Sequence, residues 1–456
     1  VNRFALTCLA SVAALAVLAG CGGSTLLNNP NPSPTPTPAP SATPIPTGTE
    51  VPQPGWSVSR AATVQPVKKW TFLVYMNGAN DLEQYGILNL NQMEKIGSTA
   101  DVNMVVQFKR RRGLYDSSNG DWSDTRRFYV YRGTDNAIIE SPVISQRDDC
   151  DMGRPGTLQE FIQWGVAAFP AERYCLVVWN HGAGWRSVKT PGATRGVSYD
   201  DATNHHIETI ELPAAIDLGG GRKWDILAFD ASLMQMVEVA YEIRDKTNLI
   251  VGSEESPPGE GYVYDKFLGP LTQNPDQSTE IFARSIVQTT LDSYGASSNI
   301  TQSVLDAGKV APIVSALNTL GGALMTAKTE WGSEIAFARE SAESYSNPDY
   351  YENKDLLDFL RRLTGVPADN TLRQITDGSI LLAAQTVRTR LGEAILFNRN
   401  GAQHPNSNGL AAFIPSPFRY SRIDVDQANG FGQRYSALKI ARDAPGWQTF
   451  LANGPR

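Results

Sequence analysis

Six short apolar runs constrain this chain more than any other feature. They fall at residues 71–76, 102–108, 126–131, 174–179, 225–229 and 248–252. Each is strand-sized, and the first stops at the turn dipeptide Asn77-Gly78. Helical spacing separates several of them, at residues 81–96 and 158–168. Strands alternating with helices predict an α/β fold with a mostly parallel sheet flanked by helices. A further helical pattern at 310–328 predicts a C-terminal helical or α+β extension. In open α/β sheets the chemistry sits beyond the carboxyl ends of the strands. Two such ends are unusual here, Trp179-Asn180-His181-Gly182-Ala183-Gly184-Trp185 and Asp230-Ala231-Ser232-Leu233-Met234. If the two strands are parallel neighbours, His181 and Ser232 emerge on one edge.

The chain before this body reads as an address and a spacer. Arg3 precedes an apolar stretch that ends in Leu18-Ala19-Gly20-Cys21, the pattern of an export signal. Residues 1–20 are expected to be a lipoprotein signal peptide. Leu18-Ala19-Gly20-Cys21 resembles a bacterial lipobox, which implies lipid on Cys21 and an extracytoplasmic, membrane-anchored protein. Residues 21–67 hold ten prolines between Pro30 and Pro54 and predict an extended tether. The folded core is expected at 68–302, with 303–456 its C-terminal continuation.

Composition removes several classes. A net charge of −7 and a pI near 5.3 argue against a nucleic-acid partner. Four cysteines among 456 residues exclude a disulfide scaffold. No HExxH, GxSxG, Walker A or paired CxxC motif occurs. His205 and His206 lack a third ligand at recognisable spacing, so no metal site is expected. Asp200-Asp201 offers oxygens that suit calcium, although a turn explains the pair as well. Cys150 and Cys175 are read either as a disulfide or as two thiols.

The two strand ends, with Val237-Glu238-Val239-Ala240-Tyr241 after the second, resemble the clostripain family of cysteine peptidases, a caspase-like group. Asp151-Met152-Gly153, Tyr199-Asp200-Asp201, Ser253-Glu254-Glu255, Pro258-Gly259-Glu260-Gly261, and His404-Pro405-Asn406 extend the resemblance across roughly residues 68–452. His181 and Ser232 are 51 positions apart (232 − 181), close to the spacing of about 50 in caspases. The family carries cysteine where this chain has Ser232. A hydroxyl is far less acidic than a thiol and needs a firmly held base.

The resemblance implies His181 as general base or acid, Gly182 N–H as an oxyanion donor, and Ser232 as nucleophile. Asp230 and Glu260 are candidates for an acidic pocket that selects Arg or Lys in a peptide or protein substrate. It also implies self-cleavage after Arg195 or Lys189. No cofactor is required. Beside these roles stand plainer ones. Ser232 also suits the N-cap of a helix from Leu233 to Arg244, on which Met234 and Met236 would be core positions. Glu254 and Glu255 suit a solvated loop, and His404 a structural turn. Two readings therefore stay open: a surface-tethered endopeptidase that uses serine, or a catalytically silent relative that binds peptides or partner proteins in the same cleft.

Overall fold

The computed structural model describes residues 53–58, 66–148, 150–187, 195–346, 351–426 and 434–456. Residues 1–20, Cys21, most of the proline-rich stretch and Lys189 lie outside these.

All six apolar runs form strands. In chain order the first are β1 (Ser57–Val58), β2 (Lys68–Asn77), β3 (Val102–Lys109), β4 (Thr125–Tyr129) and β5 (Val143–Arg147). Next come β6 (Ala171–Trp179) and a small separate sheet of β7 (Gly182–Ser187), β8 (Arg195–Asp200) and β9 (His205–Ile207). Then follow β10 (Trp224–Asp230), β11 (Thr247–Ser253), β12 (Thr301–Asp306), β13 (Asn353–Asp355), β14 (Ile395–Asn400) and β15 (Ala411–Phe413). The main sheet runs β1-β5-β4-β3-β2-β6-β10-β11-β12-β14. Its middle five strands are parallel and its outer strands are antiparallel, while β13 pairs with β15.

Alternation along the central strands feeds two cores. From β2, Leu73 and Tyr75 enter one core, and Phe72, Val74 and Met76 the other. Burial on both faces explains why these runs are almost continuously apolar. One face is covered by α1 (Glu83–Glu94), α5 (Tyr264–Gln273) and α6 (Thr279–Tyr294). The other carries α2 (Pro155–Ala168), α3 (Leu212–Ala215), α4 (Val237–Ile243), α7 (Val310–Ser341), α8 (Leu356–Thr364) and α9 (Gly378–Ala394). α10 (Pro417–Asp426), α11 (Lys439–Asp443) and α12 (Pro445–Asn453) join them there. Residues 303–456 thus complete the same body: β12 and β14 extend the main sheet, and α7 packs against α8, α9 and α12. By length and composition 307–341 could cross a bilayer, but half of its apolar window is buried in this core.

The folded body also reaches further toward the N-terminus than residue 68. β1 pairs antiparallel with β5, and Trp56 and Trp164 hold the Arg127 guanidinium at 3.5 and 4.3 Å from their ring centres. Trp56 Nε1 donates to Glu160 Oε1 at 2.6 Å. The end of the proline-rich segment is therefore docked on the sheet edge. Cys150 and Cys175 are both buried free thiols, which removes the disulfide alternative.

Candidate active site

β6 and β10 are parallel neighbours, with Trp179 opposite Asp230. His181 and Ser232 each follow two residues later, so they leave the sheet on the same edge, as their motifs required. Both line a cavity of about 390 Å³, together with Asp230, Leu82, the 256–259 loop and Ser346. Gly182 makes the approach possible: a Cβ there would lie 2.3 Å from the Ser232 carbonyl oxygen and 3.1 Å from its nitrogen. The two strand ends touch backbone to backbone, and no larger residue fits between them.

The helix expected from Leu233 is absent. α4 starts at Val237 with Met236 as its N-cap, and Leu233 adopts φ +63°. That left-handed conformation is unfavourable for a branched side chain and ends any helical run. Instead Leu233 N–H and Gln235 N–H donate to the carbonyls of Glu255 and Ser253. The segment turns at Ser232–Leu233, then runs on to Met236 beside β11 and β15, and keeps Leu233, Met234 and Met236 buried. Ser232 is therefore not an N-cap, and no helix N-terminus lends it a partial positive charge.

His181 is held by a residue the motifs did not single out. Its Nε2 lies 2.6 Å from Asp81 Oδ1. The hydrogen bond to His181 is the largest influence holding the Asp81 carboxyl below its ordinary range. An ionised carboxylate only accepts, so Nε2 carries a proton in this hydrogen bond. Among the described residues neither His181 Nδ1 nor Ser232 Oγ has a hydrogen-bond partner. The Tyr199 ring stands edge-on to the imidazole, with centroids 6.4 Å apart. Asp81 follows β2, the strand next to β6 on the side away from β10. That adjacency comes from the sheet order, which sequence spacing alone did not reveal.

Asp230 lies in the cavity wall and is only 6% exposed. Burial pushes its carboxyl up to about 7, against the lowering effect of bonds from Tyr262 N–H and the Tyr264 hydroxyl. Glu260, the second pocket candidate, is exposed and does not line the cavity. Glu254 and Glu255 are buried, which overturns the solvated-loop reading. Glu254 accepts from Gly409 N–H, and burial, with Asp355 beside it, pushes its carboxyl well up. Glu255 meets His404 Nε2 at 3.4 Å, while His404 Nδ1 meets Glu343 Oε1 at 3.0 Å. His404 is structural, as expected.

Asp200 and Asp201 diverge. Asp200 forms a buried pair with Lys109 at 2.6 Å, and Asp201 lies 4.0 Å from Arg111 in a turn. His205 contacts Asp151 at 2.5 Å, and His206 stacks on Tyr199. No three such ligands converge on a metal position among the described residues. Arg195 opens β8.

Comparison with known proteins agrees with this geometry. A model of the clostripain family matches residues 74–373. Clostripain of Hathewaya histolytica is 26% identical over 404 residues, which cover 76% of this chain and 75% of the relative. A secreted C11 cysteine protease from Bacteroides thetaiotaomicron, solved with an irreversible peptide inhibitor, superposes with a TM-score of 0.60. It does so at 16% identity, over 84% of this chain and 99% of that one. An inactive zymogen C11 protease from Parabacteroides distasonis gives 0.58 at 19% identity, over 84% and 99%. The sheet order and paired strand ends accord with that family match, which covers more than half of the chain and makes it a member of the clostripain family.

Proposed function

We propose that this protein is an endopeptidase that cuts peptides after Arg or Lys, with Ser232 as nucleophile and His181 as base. The observation that carries the reading is the placement of His181, Ser232 and the buried Asp230 around one cavity. As Ser232 Oγ bonds to the substrate carbonyl carbon, its proton passes to His181 Nδ1 and the carbonyl oxygen takes up the electron pair. Gly182 N–H is assigned as a donor to that oxyanion. Collapse breaks the C–N bond, and His181 returns the proton to the leaving amine. Water repeats the sequence on the acyl-serine and frees Ser232. Asp230 receives the basic side chain, whose positive charge favours the ionised carboxylate.

The proposal extends to location and processing. Lipid on Cys21 and the proline-rich tether place the enzyme at an extracytoplasmic membrane surface, and self-cleavage follows Arg195 or Lys189. N-terminal sequencing of purified protein tests the second point: an intact chain contradicts it. A second reading, a silent peptide-binding relative, draws on one observation, the lack of a hydrogen bond between Ser232 Oγ and His181. Fluorogenic peptides ending in Arg, Lys or a neutral residue separate the two. Cleavage of the basic peptides by the parent but not by Ser232→Ala supports the enzyme. Equal traces from both contradict it.

A further inference from the structure

We propose that Asp81 is a positioning residue for His181, so that three adjacent strands deliver an acid, a base and a hydroxyl in line. The inference rests on the peptidase reading above and gives Ser232 the third group that a hydroxyl nucleophile requires. β2, β6 and β10 are consecutive in the sheet, and Asp81, His181 and Ser232 follow their carboxyl ends in that order. Asp81 Oδ1 accepts from His181 Nε2–H at 2.6 Å. This fixes the tautomer with the lone pair on Nδ1 and offsets the positive charge formed when Nδ1 takes the Ser232 proton.

The loop that carries Asp81 is tied to the loop that carries His181. Asn80 donates to the Tyr199 carbonyl at 2.8 Å and accepts from Leu82 N–H at 3.0 Å. Asn180, next to His181, donates to the Asn77 carbonyl and accepts from Tyr199 N–H at 2.7 Å. Asp201 N–H donates to the Ala79 carbonyl at 3.1 Å. The Asp81 carboxylate itself is 62% exposed, so its effect is that of an oriented surface acid and not of a sealed one. The other charges on this rim are Asp201, which feels both Asp81 and His181, Arg111 beside it, and the Asp200–Lys109 pair behind.

Cysteine and serine place different demands on such an acid. A thiol is acidic enough to work with histidine alone, whereas serine triads lose about 10⁴ in rate when the acid becomes an amide. The test uses the full chain with Asp81→Asn and Asp81→Glu, each made in the Ser232 parent and in Ser232→Cys. With the parent, Asp81→Asn is expected to lower kcat by about 10²-fold or more, within the range for acid–base groups, with KM nearly unchanged. Asp81→Glu should recover part of the loss, and melting should not move. In Ser232→Cys the same change should cost less than about 10-fold. A kcat near the parent value in Asp81→Asn overturns the proposal, as does an equal loss in both backgrounds accompanied by lower melting.

If the Ser232 parent itself cuts nothing, the peptidase reading fails, and Asp81 is then read separately. Iodoacetamide alkylation of the thiol in Ser232→Cys at pH 6 reports the thiolate paired with imidazolium. Asp81→Asn is expected to slow it about 10-fold, and an unchanged rate overturns the positioning role.

Discussion

Among the histidines that meet carboxylates, His404 and His181 do opposite things. His404 has both ring nitrogens engaged, by Glu343 at 3.0 Å and Glu255 at 3.4 Å, in a cluster whose side chains are at most 14% exposed. His181 has one nitrogen on Asp81 at 2.6 Å and the other uncommitted, at the wall of an open cavity. The first arrangement fixes a loop; the second leaves a site for a moving proton. A histidine–carboxylate pair therefore says little about catalysis until its second nitrogen is located.

The largest way to break this contrast is His181→Ala. It should remove at least about 10³-fold of the cleavage rate and leave urea unfolding unchanged. The mirror experiment is His404→Leu. It removes the imidazole that both Glu255 and Glu343 contact, so unfolding by urea should show a loss of about 2 kcal/mol, while kcat of the folded protein changes less than 10-fold. If instead His404→Leu stops catalysis at full stability, the contrast is wrong.

Smaller effects sharpen the comparison between carboxyls. Asp230→Asn should cost about 10²-fold in kcat/KM on Arg and Lys peptides and little on neutral ones. Because the Asp230 carboxyl sits at about 7, it is mostly neutral at pH 6 and mostly ionised at pH 8. KM for basic peptides should therefore fall across that interval in the parent and stay flat in Asp230→Asn. The Glu254–Asp355 pair is a structural counterpart: burial raises both carboxyls, Asp355 to about 6. A raised folded value gives stability that is full at acid pH and lost as pH rises through it. Glu254→Gln should flatten the decline in unfolding free energy as pH rises above about 5. The smallest effect on catalysis is expected at the docked N-terminal segment, where Trp56→Ala should leave kcat nearly unchanged while costing about 3 kcal/mol of stability through lost packing, the Arg127 contact and the Glu160 hydrogen bond.

The parallel core was legible because strands buried on both faces must be apolar along most of their length. Residues 71–76 and 174–179 declared themselves that way, whereas the close approach at Gly182 became visible only in the structure. The outer strand β5 (Val143–Arg147), between β1 and β4, gave no clear pattern because half-exposed residues dilute it. The helix expected at Leu233 failed for a different reason. Leu233, Met234, Met236 and Val237 fit a helical stripe, yet burial between β11 and β15 serves an extended segment as well. Glu254 looked like a loop residue because its partner Asp355 lies about a hundred positions away. Asp81 was invisible for the same reason: only the order of strands in the sheet brings it to His181.

The most direct test is a side-by-side assay of the parent, Ser232→Ala and Ser232→Cys on a fluorogenic peptide ending in Arg. The chain should include the docked segment from residue 53 onward. The account predicts that the parent and Ser232→Cys both cleave and that Ser232→Ala is silent. Cleavage by Ser232→Cys alone would contradict it, leaving a preserved peptidase geometry whose natural serine only binds.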